Sequence, residues 1–243
     1  YAQGPSTLTR FQPGDAVPGL NVGGWHDAGD FDLRVESQSG ECYALTLAYE
    51  AFGVDYDATG IDQERKVCEI HQPDGKNDIL QQIEHGVLTV VAGYRALGRL
   101  YRGIICNDLR QYVLLGDSAA MTDNIKGNAD DRWVFTENNP PRELSTAAHL
   151  AASARALRGF NDALADEALD AARELFRVTD ITGGGHAQPA APGSSGSDRA
   201  RMAKVQAAVE LLLATGEATY RDHLLSETDF IVRHLDKAGW FVS

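Results

Sequence analysis

With 243 residues, 43% of them hydrophobic, the chain can bury a sizeable core as one large domain or two small ones. Its 22 Lys and Arg against 35 Asp and Glu leave a formal charge of −13, which repels a polyanion and argues against nucleic acid as a partner. No run approaches the roughly 18 apolar residues of a membrane span, and the first residues lack the charged and apolar blocks of a secretion signal, so a soluble, non-membrane protein is expected.

Residues 1–38 are rich in Gly, Pro, Asp and Ser and show no sustained period, which predicts loops with at most a short strand. A helix is then expected from near Ser39, carried by Leu45, Ala48 and Phe52 and closed by Gly53. In "NDILQQIEHGVLTVVAGYRALGRLY" the apolar residues Leu80, Ile83, Val87, Val90, Val91, Tyr94 and Leu97 recur at helical spacing, with Asn77 or Asp78 as N-cap. Two helices meeting at Asn161 predict an antiparallel hairpin. A further pair is expected in 201–243, with Met202, Val205, Val209 and Leu212 marking the stripe and Gly216 the stop. Helical hairpins thus fill 39–182 and 201–243. They are interrupted by a long polar loop at 116–141 and a Gly/Ser/Pro-rich flexible stretch at 183–200.

Cys42, Cys68 and Cys106 are odd in number and widely spaced, which suits buried small hydrophobes better than a disulfide framework or a zinc site.

Candidate chemistry concentrates in "GGWHDAGDFD", Gly23 to Asp32. Asp27 and Asp30 flank a glycine, and a turn there can aim both carboxylates at one water, the general-base half of an inverting hydrolysis. The alternative is a turn that Asp and Gly merely favour. "YVLLGDSAA" offers Ser118 as a nucleophile, but His234 and Asp236 stand in the wrong order to serve as its base. Asp130 and Asp131 suit a solvated loop or a helix cap better than a paired-acid metal site.

"GGWHDAGDFD" closely resembles the signature of glycoside hydrolase family 9, with His26 where tyrosine is commoner. "NDILQQIEHG" is similar to that family's D-I-L-x-E-x-x-x-G helix, with Gln81 and Gln82 where acids are common. "STAAHLAASARALRGFNDALADEALDAARELF" and "AAVELLLATGEATYRD" resemble its alanine-rich hairpin and a later segment, so the likeness runs in register from Gly23 to Asp222. The resemblance implies an all-α fold, an (α/α)6 toroid of helical hairpins of which the N-terminal half to two-thirds is present, with residues 1–243 forming part of one catalytic domain. It implies an endo-acting enzyme that cleaves β-1,4-linked glucans of the cellulose, mixed-linkage or xyloglucan type with inversion. Asp30 would be the general base and Asp27 would position the water.

His26, Trp25 and Trp133 become candidate substrate contacts. For Trp25 and Trp133 packing competes with a sugar platform, and for His26 a structural role competes with substrate contact. No cofactor or catalytic metal is required, and a structural calcium is compatible with the fold. A secreted, periplasmic or cell-surface location follows from the same resemblance. So do two partners besides β-glucan polysaccharide or oligosaccharide: the remainder of the catalytic domain and an N-terminal immunoglobulin-like module in the parent protein. The family's general acid, a Glu beyond a His-His-Arg segment, has no counterpart in this sequence. A non-catalytic glycan-recognition or assembly fragment is therefore the alternative reading.

Overall fold

The computed structural model describes residues 2–4, 8–27, 32–106, 132–181 and 196–235. Asp30, Ser118, Asp130, Asp131 and Asp236 lie outside them. In chain order the elements are β1 (Ala2–Gln3), β2 (Leu33–Arg34), α1 (Val35–Phe52), β3 (Thr59–Asp62), β4 (Val67–Ile70), α2 (Asp78–Leu97), β5 (Gly103–Cys106) and β6 (Arg132–Phe135). They are followed by α3 (Pro140–Leu157), α4 (Asp162–Val178), α5 (Gly196–Thr215), α6 (Ala218–Ser226) and α7 (Thr228–Arg233).

Helices dominate, as expected, and they form two rows. α3 packs against α1 on one side and α5 on the other, while α2 and α4 lie behind. α3 is buried on every face through Leu144, Leu150 and Leu157 and a set of small residues that includes Ala147, Ala148, Ala151, Ser153 and Ala154. A helix sealed all round belongs to the centre of a bundle, and alanines let its neighbours' axes come close. α4 instead buries one stripe, from Leu164 to Leu175, and turns its charged residues outward. This layered arc of hairpins is part of an (α/α)6 toroid.

α2 follows its pattern closely. Asn77 accepts hydrogen bonds from the backbone of Ile79 and Leu80, and Leu80, Ile83, Val87, Val90, Val91 and Leu97 are buried. Asn161 caps α4 in the same way and turns the α3–α4 hairpin.

Elsewhere the pattern misled. α1 starts at Val35, four residues before Ser39, because Arg34 ends β2 and caps the helix with no linker between. Its buried face is Val35, Gln38, Ser39, Cys42 and Thr46, whereas Phe52 is 81% exposed. α5 buries Ala203, Val205, Ala207, Ala208 and Leu211, so of the expected stripe Val205 is buried, Met202 and Leu212 are half-buried and Val209 is exposed. The helix also begins at Gly196, inside the stretch expected to be flexible.

The expected last helix breaks at Glu227, where the hydroxyls of Ser226 and Thr228 donate to carbonyls of His223 and Leu225, and Arg201 pairs with Glu227. Cys42 is buried, with its thiol pushed up by desolvation, but Cys68 is exposed on β4, contrary to expectation.

Strands account for the rest. β1, β6, β5 and β2 form one sheet, in which β1 pairs in parallel with β6 and the other pairings are antiparallel. β6 occupies part of the long loop expected at 116–141. β3 and β4 form a hairpin between α1 and α2, and Asp78 binds its base through the backbone of Ala58 and Thr59. Among the described residues no helix is long and apolar enough to cross a membrane.

A polar strut ties α1, α3 and α5 together. Tyr43 stacks on His149 with ring centroids 4.8 Å apart, and its hydroxyl donates to Glu210 at 3.0 Å. Arg155 bridges Glu210 and Glu50. Burial pulls His149 from 6.5 to about 4, because the charged imidazolium loses its water.

The unfolded chain therefore binds this proton more readily than the native one. The stabilisation is complete above about pH 6.5 and is lost as pH falls towards 4. We expect His149→Gln to flatten the fall in urea midpoint between pH 7 and pH 4.5, an effect on the order of 2–3 kcal/mol in the wild type. Gly93 makes a second test, since an added methyl would land inside the Tyr101 ring. Gly93→Ala should destabilise by about 1–3 kcal/mol in the same measurement, although alanine is the better helix former.

Candidate active site

The motif segment is threaded between α1 and α2 before it reaches the sheet. The Gln38 carboxamide, 1% exposed, bonds both sides of the Trp25 backbone, accepting from the N–H and donating to the C=O at 2.7 Å each. The Trp25 indole N–H donates to Gln82 at 3.1 Å, and its ring fills the space left by Gly86 beside Cys42. His85 spans from Gln63 of the β3–β4 turn to the Gly24 carbonyl, 2.9 Å on each side. Gly23 and Gly24 both have positive φ and lie against α2, so the "GG" of the motif serves close backbone approach.

Beyond Trp25 the chain turns. The Asp27 N–H donates to the Asp32 carbonyl at 2.7 Å, an antiparallel bridge that holds the two residues together. Asp27 then sits over the first turn of α1, where the Ser37 hydroxyl donates to its Oδ2 at 2.9 Å and the helix terminus supplies positive potential. Arg34 approaches the same oxygen at 3.9 Å and pairs with Asp32 at 2.9 Å. The Asp27 side chain is 27% exposed, so a carboxylate held in one orientation still meets solvent. Such a group can orient a water by accepting its proton in a hydrogen bond.

The other sequence candidates fall in different places. His26 is exposed, and its pKa is lowered first by partial desolvation of the ring and then by the charge of Arg132, so it is neutral at pH 7. Trp25 is committed to the α1–α2 groove by its indole bond and ring contacts. Trp133 stands on β6 between Ala2 of β1 and Ile105 of β5, half-buried against Gly4. Asp30 lies in the undescribed part of the motif.

The structure adds residues that the sequence did not single out: Asp32, Arg34, Ser37, Gln38, His85 and the buried Arg132 beside His26. A signal for two of them was present, since "RVESQS" places Ser37 and Gln38 in the first turns of α1, where an apolar face should have begun. The glutamines at 81 and 82 also gain a reason. Gln82 accepts from Trp25, and buried Gln81 donates to Asp74 at 2.7 Å, where a glutamate would set two carboxylates together.

The helical-hairpin fold and the motif in its α1–α2 groove are shared with a known family. The model of glycosyl hydrolase family 9 matches residues 3–240, and the chain belongs to that family. A metagenome-derived glycoside hydrolase family 9 endoglucanase shares 25% identity at a TM-score of 0.68, covering 94% of this chain and 39% of its own. The family 9 endoglucanase J30 shares 21% at a TM-score of 0.69, covering 97% and 42%. A Bacteroides ovatus family 9 protein shares 18% at 0.65, covering 93% and 41%. The chain thus spans about two fifths of the length of these structures. No curated protein matches it.

Replacing Gln38 by methionine keeps its volume but strips both bonds from the Trp25 backbone. We expect a loss of about 1–3 kcal/mol in urea unfolding. Gln38→Glu, which retains an acceptor for the Trp25 N–H, should also destabilise because it buries a charge without its donor.

Proposed function

We propose that this chain supplies the general-base side of an inverting glycoside hydrolase that cleaves β-1,4-linked glucans. The single observation carrying the reading is that a family 9 chain holds the Asp27 carboxylate by Ser37 and Arg34 at the N-terminus of α1, partly exposed and three residues from Asp30. In the proposed step Asp30 takes a proton from a water held by Asp27 as the water oxygen bonds to the anomeric carbon. The bond from that carbon to the bridging oxygen breaks, and the leaving oxygen takes a proton from a carboxylic acid ~6.5–9.5 Å from the base. Proton transfer to a carboxylate supplies the base chemistry. The neighbour described as an endoglucanase at 25% identity supports a glucan substrate. A polymer of that kind is met outside the cytoplasm, and an extracytoplasmic site of action belongs to the same proposal.

A second reading is recognition of glycan without turnover. One experiment separates the two. The complete catalytic domain that contains this segment should release reducing sugar from β-glucans with inverted anomeric configuration, read by proton NMR. Asp30→Asn should lower kcat by about 10²–10⁴-fold. Hydrolysis that survives Asp30→Asn would refute the base assignment, and binding of cello-oligosaccharides without turnover by the wild type would establish the second reading.

A further inference from the structure

Asp32 is fully buried, which is costly for a carboxylate unless a cation and hydrogen bonds replace its water. Arg34 is that cation, with Nη2 on Asp32 Oδ2 at 2.9 Å. The position of Arg34 makes the pair unusual. It is the N-cap residue of α1, with extended backbone, yet its side chain makes no capping bond and reaches back across the Asp27–Asp32 bridge. From there its Nε stands 3.9 Å from Asp27 Oδ2, the oxygen that also accepts from Ser37.

Two groups therefore converge on Oδ2. Among the described residues none donates a hydrogen bond to Oδ1. The backbone of Asp27 is fixed by the bridge to Asp32, and Ser37 is fixed in the first turn of α1, so the plane of the carboxylate is held with one oxygen inward.

We propose that Arg34, anchored by the buried Asp32, is a positioning residue for the hydrolytic reaction. It locks Asp27 with Oδ2 inward, so that Oδ1 is the atom presented to the attacking water. This rests on the glycosidase reading of the site. A planar guanidinium suits the task better than an ammonium, because one nitrogen can hold Asp32 while another faces Asp27. The competing account is that the ion pair only closes the loop, which would lower stability and leave the chemistry of the folded protein intact.

The test uses the complete catalytic domain, with wild type and Asp30→Asn as references. Arg34→Ala should lower kcat by about 10²-fold, the cost of a misplaced reacting group, with KM changed by less than about twofold. Guanidinium chloride at low millimolar concentration should restore part of the kcat of Arg34→Ala and leave Asp30→Asn unaffected. Arg34→Lys, which keeps the charge but not the fork, should fall between wild type and alanine. Asp32→Asn, nearly isosteric, should lower kcat with KM kept should the alanine variant fail to fold.

The proposal is overturned if folded Arg34→Ala and Asp32→Asn keep wild-type kcat. It is equally overturned if their loss of activity tracks a lower melting temperature and guanidinium restores none of it. An active wild type with inactive Asp30→Asn and unimpaired Arg34 variants sinks this inference alone. A wild type without activity on any β-glucan sinks the glycosidase reading and this inference with it.

Discussion

The arrangement depends on the burial of α3 on all sides. A helix can be enclosed by α1, α5, α4 and α2 only if its own side chains are short enough for those neighbours to close around it, and its run of alanines meets that condition. Dispersion over many small contacts replaces the few large anchors of an ordinary amphipathic helix. With α3 in place, α1 and α5 are held as its two flanks, and the Tyr43, His149, Glu210 and Arg155 strut crosses all three.

The placement of α1 fixes the site. β2 runs into α1 without a linker, so the sheet and the helix hold the chain on either side of Arg34. The face of α1 turned towards the motif is polar at Gln38 and Ser39, and Gln38 clamps the Trp25 backbone as a neighbouring strand would. Buried polar groups of this kind stabilise only when each is paired, which makes their geometry selective. The carboxylate of Asp27 inherits its orientation from that chain of fixed groups.

Legibility in the sequence followed the physics of each element. α2 was readable because large apolar residues on one stripe meet the core and Asn77 can satisfy two orphan N–H groups. The Asn161 hairpin was readable for the same capping reason. α5 was readable only in part, because its larger apolar residues divide between the contact face, with Val205 and Leu211, and the exposed side, with Val209 and Leu213, and hydrophobicity alone does not tell them apart. β5 and β6 have four residues each, too few for alternation to emerge, and their pairing is decided by partners distant in sequence. In the site, the motif singled out Asp27, but Asp32, Arg34 and Ser37 read as ordinary surface polar residues until the fold brought them together.

The helical class, the family resemblance and the carboxylates on which the chemistry is proposed to rest are legible along the chain, because they are written in local periodicity, capping residues and a contiguous motif. Packing set which face of α1 and α5 is buried, wedged Trp25 between two helices and fixed the plane of the Asp27 carboxylate. Those outcomes depend on contacts between residues such as Gln38 and Trp25, or Gln63 and His85, whose pairing is set by how helices and strands pack rather than by their neighbours along the chain.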